Sequence, residues 1–413
     1  MKFLTSLAFV ALAASAPAYG QTAALPEGPG KQLVQENCTG CHEVTRITNA
    51  SYSRDGWLTE VRKMTNSGAP IANDKVGALA DYLAKAFPEQ ARPAAAVIAG
   101  PVQASFKEWT APTPGSWPHD PLATPDGMIW YTGQFGNLLG RIDPKTGKIT
   151  EFELKTAVSG PHGLTYDTAG NIWFASNFQG YMGKLDPKSG AITEYKMPDP
   201  KAKDVHTPLF DKTGMLFFTL QNANMFGRLD PKTGAIKLTT SPTPNSRPYG
   251  MVFDSKDTPW FCEFGSNKIA HVDKTTLAIK EYELPHKDSR PRRIAITPDD
   301  VIYYGDYSRG YLGRFDTKTG QIKEWPTPSG AKAMPYGITF YDGAIWYAES
   351  NAKPNTLVRF DIASEKFQSW KVPGGGEVIR NMMPTHDGTG IVLAESGVDK
   401  VALVTVAPAV ANK

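Results

Sequence analysis

Apolar and polar positions change their spacing three times along this chain. Lys2 is followed by an apolar run from Phe3 to Ala14. Beyond it apolar residues recur at helical intervals, and Lys31 to Asn37, Arg54 to Asn66 and Asn73 to Phe87 read as three short helices. The last carries Val76, Leu79, Ala80 and Leu83 at helical spacing. Pro88 to Gln103 is rich in Ala and Pro without an amphipathic period, which reads as a semi-rigid linker. From about Ser105 onward only strand and turn signals remain. The pattern predicts a small all-α domain followed by a larger all-β one.

The second part repeats itself. Gly140-Arg141-Ile142-Asp143-Pro144-Lys145-Thr146-Gly147 returns as Gly183 to Gly190 and as Gly227 to Gly234, with weaker copies at Asp273, Asp316 and Asp361. The aspartates Asp143, Asp186, Asp230, Asp273, Asp316 and Asp361 follow one another at intervals of 43 to 45 residues. That period, built from strands and hairpin turns, predicts β-propeller blades. In each turn Asp opens, Pro fixes φ and Gly takes the positive-φ position. Each repeat also carries an aromatic strand, among them Ile129-Trp130-Tyr131, Ile172-Trp173-Phe174 and Ile345-Trp346-Tyr347, with Ile391-Val392-Leu393 in the seventh slot. These read as core between blades. The seventh unit ends near Val406 without an outer strand, while Phe106-Lys107-Glu108-Trp109 matches outer strands elsewhere. A seven-bladed ring closed by the N-terminal strand, residues 104–110 within a domain at 104–407, follows.

The first run has the length of a signal peptide's apolar region and falls far short of the roughly 20 residues that cross a bilayer. Ala18-Tyr19-Gly20 places cleavage before Gln21, so residues 1–20 are expected to be removed and the protein exported, in a bacterium to the periplasm. No later stretch reads as a membrane span. With 44 Lys+Arg against 41 Asp+Glu, the net charge of +3 excludes an electrostatic nucleic-acid binder. Three cysteines exclude a disulfide scaffold.

Two of those cysteines fall in Cys38-Thr39-Gly40-Cys41-His42, the pattern of covalent c-type haem attachment. Two thiols at this spacing reach the two vinyl groups of one porphyrin, and His42 falls under the iron. Between Gln21 and Gly100 the one other histidine or methionine is Met64, the candidate second axial ligand, unless it is ordinary core packing. Thioether ligation raises the potential and suits an electron carrier. Residues 21–88 resemble a small cytochrome c domain through Cys38, Cys41, His42, Trp57, Met64 and the Asp81-Tyr82-Leu83 helix. Residues 89–103 would link it to the propeller. Cys262, the third cysteine, reads as a buried thiol.

Inner propeller strands face the central channel. Counting back from the aromatic anchor gives one equivalent position per blade: His119, His162, His206, Tyr249, Arg292, Tyr336 and, less directly, Asn381. A second set, just past the aromatic strand, reads Gly133, Ser176, Leu220, Glu263, Asp306, Glu349 and Glu395. The expectation is a pocket with histidines on one arc and carboxylates on the other, with acid–base capacity and a second, divalent metal as a further candidate. A hydrated channel whose polar groups satisfy one another is the plainer alternative.

From about Ser105 to Val406 the chain resembles the virginiamycin B lyase family, through repeats such as Gly160-Pro161-His162-Gly163-Leu164-Thr165 and Gly170-Asn171-Ile172-Trp173-Phe174. The resemblance implies a seven-bladed propeller and an elimination that opens a cyclic depsipeptide, using a catalytic histidine and magnesium-binding glutamates. The histidines match as His119 with His162 or His162 with His206, but the positions 14 residues on hold Ser176 and Leu220. Asp204 is the available substitute for one carboxylate.

Three functions follow. The first is a periplasmic haem oxidoreductase, with a small molecule or an electron-transfer partner bound at the channel mouth through His119, His162, His206, Tyr249, Arg292, Glu263 and Asp306. The second is a C–O lyase or lactone hydrolase with an accessory cytochrome. The third is a non-catalytic platform for an electron-transfer partner.

Overall fold

The computed structural model describes residues 25–38 and 44–408. The expected signal segment, Cys41 and His42 lie outside them.

Among the described residues four short α-helices form an N-terminal unit: α1 (Lys31–Cys38), α2 (Thr45–Thr48), which is additional to the three expected, α3 (Arg54–Asn66) and α4 (Val76–Ala86), the last preceded by a 3-10 turn at Asn73–Lys75. Ser53 caps α3 by accepting from the Gly56 amide at 3.2 Å. The apolar face read from α4 does pack inward: Val34, Trp57, Val61, Val76, Leu79, Ala80 and Leu83 form one core. Trp57 donates its indole N–H to the Phe87 carbonyl at 3.0 Å and so ties α3 to the end of α4. Among the described residues no helix is long and apolar enough to cross a membrane.

Seven four-stranded antiparallel sheets make up the rest. Their inner strands are Pro118–Ala123, Pro161–Tyr166, Val205–Phe210, Pro248–Phe253, Pro291–Ile296, Pro335–Tyr341 and Ile379–Pro384, which define blades 1 to 7. The expected closure is present. Val102–Thr110 pairs antiparallel with Lys400–Pro408, from Val102 opposite Pro408 to Thr110 opposite Lys400, and completes blade 7. The aromatic anchors are buried between neighbouring blades; Trp173, for example, packs with Leu216, Phe218 and Leu229 of blade 3.

The Ala/Pro segment does not hang free. Ala94 bridges to Lys353 and Ile98 to Ser369, while the Ala96 amide donates to Ser329 Oγ at 3.0 Å. Arg92 ion-pairs with Glu377 at 2.7 Å. The segment is therefore bound along blade 6, which fixes the path between helices and propeller.

All seven inner strands share one irregularity. Their pairing with the next strand shifts register between Pro118 and Pro121, Pro161 and Leu164, Val205 and Pro208, Pro248 and Met251, Pro291 and Ile294, Pro335 and Ile338, and Ile379 and Asn381. Such a bulge releases residues from the ladder and re-aims their side chains.

Candidate functional site: a seven-residue ring under α3

The bulges turn one side chain from every blade toward the axis. The imidazole centroids of His119 and His162 lie 3.6 Å apart, those of His162 and His206 3.8 Å, and that of His206 lies 3.8 Å from the Tyr249 ring. The hydroxyls of Tyr249 and Tyr336 meet at 2.5 Å. Arg292 lies with its Cζ 3.8 Å from the Tyr336 ring centre, and Arg380 donates to the Tyr336 hydroxyl at 3.4 Å. His119, His162, His206, Tyr249, Arg292 and Tyr336 thus come together as the repeat predicts. In blade 7 the ring position belongs to Arg380 and not to Asn381. The hairpin there is one residue longer, since Met383 pairs with Val392 whereas Leu122 pairs with Trp130, so counting back from the anchor stops one residue short.

The carboxylates do not join this ring. Glu263 and Asp306 end their strands fully buried in their own blades. Ser241 and Ser266 donate to Glu263 at 2.7 and 2.8 Å; Asp306 accepts from the Arg290 amide at 3.0 Å and from Arg309 at 3.0 Å. Glu349 takes the Ser329 amide at 2.8 Å. The arc facing the histidines is built from arginines and phenols instead. Asp204, the substitute carboxylate, is bonded to Asn177 and accepts the Asn222 amide at 2.8 Å. Leu220 belongs to an apolar core and Ser176 donates to the Ser159 carbonyl at 2.9 Å.

One residue further along two strands, Asp120 and Arg293 form a buried ion pair across the channel at 2.7 Å. Asp120 also lies 2.9 Å from His119 Nδ1. Below this pair the channel continues as a cavity of about 290 Å³ lined by Met251, Ile294, Ile338, Met382 and others, toward Val252, Ile296 and Phe340. Sequence reasoning missed Asp120, Arg293 and Arg380; the first two directly follow ring positions, and that adjacency was the available signal.

Electrostatics set the protonation of the ring. Burial, followed by the charges of Arg380, Arg293 and Arg292, holds His119 well below the ordinary imidazole range. His162 and His206 are depressed in the same way, by burial first and then by the adjacent histidine. Three neutral imidazoles result, and His162 Nδ1 and His206 Nε2 are buried without a hydrogen-bond partner. Burial alone would raise the Tyr336 phenol, but Arg292, Arg380 and Arg293 outweigh it and the hydroxyl becomes more acidic than usual. His119, Asp120 and His162 offer ligand atoms within 4.8 Å of one another, the geometry for a metal ion. Asp120 is committed to Arg293, however, and a divalent cation there faces three guanidiniums.

The helical unit lies over this mouth. Lys63 of α3, 5 % exposed, places its Nζ 3.5 Å from the centre of Trp117 and 4.7 Å from that of Phe135. Asn66 donates to the Pro114 carbonyl at 3.1 Å. Trp117 has φ of 56°, a conformation a bulky residue adopts only when its surroundings enforce it. Asp399 does so by accepting from the Gly115 and Trp117 amides at 2.6 and 2.8 Å. Arg380 lies 5.1 Å from the same indole, so Trp117 joins α3 to the ring.

Of the four residues expected to hold haem, Cys38 ends α1 and packs against the helical core as a free thiol. A cavity of about 180 Å³, lined by Leu33, Asn37, Ile71, Lys75, Leu79 and neighbours, lies against the same helix. The apolar members of that lining, Leu33, Ile71 and Leu79, are of the kind that packs against a porphyrin edge, while Asn37 and Lys75 add polar groups. Met64 is half-buried on α3 and does not line this cavity. Cys262 is buried, its Sγ 3.1 Å from the Arg292 carbonyl and its acidity pushed to about 12 by burial, a structural thiol.

Comparison with known proteins bears on the propeller. The model of the virginiamycin B lyase family matches residues 94–232 and 209–411. No curated protein matches the chain. Among solved structures, virginiamycin B lyase from Staphylococcus aureus is 25% identical with a TM-score of 0.67, covering 73% of this chain and 99% of its own. A streptogramin B lyase is 26% identical with a TM-score of 0.67, over 74% of this chain and 98% of its own. Hydrazine synthase of Kuenenia stuttgartiensis, 13% identical with a TM-score of 0.59 over 72% of this chain and 97% of its own, shares the fold alone. With the matched segments running through every blade, this chain belongs to the virginiamycin B lyase family.

Proposed function

We propose that this chain is an exported haem protein, periplasmic in a bacterium, whose helical unit carries one c-type haem and whose propeller ring binds a small molecule that exchanges electrons with it. Cys38 and Cys41 would form the thioether links, with His42 and Met64 as iron ligands. A haem bound in this way supplies reversible one-electron chemistry at a potential raised by the thioether. The remaining work belongs to the chain. The three neutral histidines are positioned to take or give a proton, Tyr249 and Tyr336 to donate hydrogen bonds, and α3 to exclude water from the mouth.

The observation that carries this reading is the seat of the helical unit: Lys63, next to Met64, is buried against Trp117, which itself touches the ring through Arg380. A carrier domain held over a ligand site shortens the path between them. Family membership supports a second reading, a redox-neutral elimination. Against it, Ser176 and Leu220 stand where carboxylates are expected and both are committed to packing or internal hydrogen bonds.

The test begins with protein purified from an exporting host. A c-type haem absorbance, one iron per chain, and loss of both in Cys38→Ala support the haem. Met64→Ala is expected to change the spectrum and lower the potential; an unchanged protein removes Met64 as ligand. Anaerobic mixing with candidate substrates then separates the readings, since reduction of the haem supports redox chemistry and product without any spectral change supports the lyase.

A further inference from the structure

We infer that the arc of the ring formed by Arg292, Tyr336 and Arg380 is an oxyanion site, taking a small carboxylate or phosphate group between two guanidiniums. The inference rests on the ring's being the ligand site and is independent of the haem. It also assigns the ring a ligand opposite in charge to a divalent metal.

Three guanidiniums, Arg292, Arg293 and Arg380, converge at this end of the channel, and their charges are felt together at His119. Asp120 is the carboxylate within the ring, and it pairs with Arg293 at 2.7 Å; Asp399 and Glu60, above it, are taken up by the Gly115 and Trp117 amides and by Lys63. Among the described residues neither Arg292 nor Arg380 makes an ion pair. Arg292 instead sits among four rings, with its Cζ 3.8 Å from Tyr336, 4.4 Å from Tyr307, 4.6 Å from Phe264 and 5.4 Å from Tyr249. Among the described residues its guanidinium makes one hydrogen bond, a long one of 3.4 Å to the Tyr249 hydroxyl. Arg380 likewise makes one long bond, 3.4 Å to Tyr336, and its Nε is buried without a partner. The histidines add no negative charge, and the buried carboxylates of the blades are turned away into their own hydrogen bonds.

Stacking on aromatic rings returns about 0.5–2 kcal/mol per cation, whereas removing an ion from water costs several kcal/mol. Both guanidiniums are half-buried, so part of that cost applies, and cation–π contact leaves their remaining N–H groups open to a ligand. Two forked donors with free N–H groups on either side of one phenol match the oxygens of a carboxylate or phosphate. The unpartnered nitrogens of His162 and His206 lie on the facing arc, available to the rest of the ligand.

An internal alternative exists in Tyr336, whose phenolate would itself neutralise one guanidinium. The two cases differ in ultraviolet absorbance. With the full-length chain at neutral pH, titration with sodium acetate and, separately, with inorganic phosphate is expected to show saturable one-to-one binding by calorimetry. The more tightly held of the two identifies the class. A bound anion screens the guanidiniums, so the tyrosinate titration of Tyr336 is expected to move to higher pH on saturation. Arg292→Gln and Arg380→Gln are each expected to weaken the anion about tenfold or more, with Arg380→Lys, which keeps charge and loses the fork, falling between. Magnesium or zinc binding in place of either anion, or no saturable anion binding by a folded wild-type chain, overturns the inference. So does tyrosinate absorbance already present at neutral pH and unmoved by anion. Absence of haem from the preparation leaves these titrations unaffected, and a failed titration leaves the haem reading standing.

Discussion

At the scale of single residues, one repeat position has two fates. Glu263 in blade 4 and Glu349 in blade 6 end equivalent strands, and each meets a serine from the preceding loop, Ser241 or Ser329. Glu395 ends the same strand of blade 7, but the preceding loop there is Gly374-Gly375-Gly376 and supplies no hydroxyl. Both Glu395 oxygens are buried without a partner. Burial first, and then the charge of Glu108, push this carboxyl from the ordinary 4.5 up to about 8. The folded chain thus holds a proton where the unfolded chain has lost it. The stabilisation is complete below pH 4.5 and is lost as pH rises through about 8. Urea unfolding at about pH 5 and about pH 8 is expected to show a fall on the order of a few kcal/mol. Glu395→Gln, neutral throughout, is expected to flatten that slope; parallel slopes in the two proteins would show that another group carries it. The carboxylate set was legible in the repeat. Its direction was not, because a residue next to a strand end faces the axis or its own blade according to hydrogen bonds made by a loop far away in sequence.

At the scale of elements, the repeated Gly-Arg-Ile-Asp unit contains a glycine whose role is steric and has no part in the turn. Gly183 lies opposite Phe174 on the neighbouring strand, and a Cβ there would stand 2.1 Å from Phe174 Cζ. Gly140 holds the same place under Tyr131, with a corresponding distance of 2.0 Å, and Gly227 under Phe218, with 2.3 Å. Gly183→Ala is therefore expected to destabilise the propeller by about 1–3 kcal/mol through overpacking, measured as a lowered denaturant midpoint with an unchanged slope. Strand, turn and blade number were all legible, because period and hairpin chemistry are local. The inner-strand bulge was not. It places two consecutive side chains, such as His119 and Asp120, in the channel, where simple alternation would send the second one away. That is why Asp120 and Arg293 escaped the sequence reading.

At the scale of the whole molecule, the ring of blades closes through Val102–Thr110, and the helical unit is held on it by Lys63, the segment along blade 6 and the contacts of Pro114 and Gly115. Lys63→Ala removes the cation from Trp117 and its ion pair with Glu60 at 2.6 Å. The expected result is a loosened helical unit on an intact propeller, seen as faster proteolysis between residues 88 and 103 with the β-sheet circular dichroism unchanged. Cleavage at the wild-type rate would mean that the bound segment alone sets the geometry. The sequence by itself determined the seven blades, their closure, three of the four helices and the identity of six of the seven ring residues, since each follows from periodicity or from a count along one repeat. Only the tertiary structure decided what faces those residues. The carboxylates turned away from the axis into their own blades and the arginines gathered at it, because charge pairing and burial are settled between blades tens or hundreds of residues apart, as with Asp120 and Arg293.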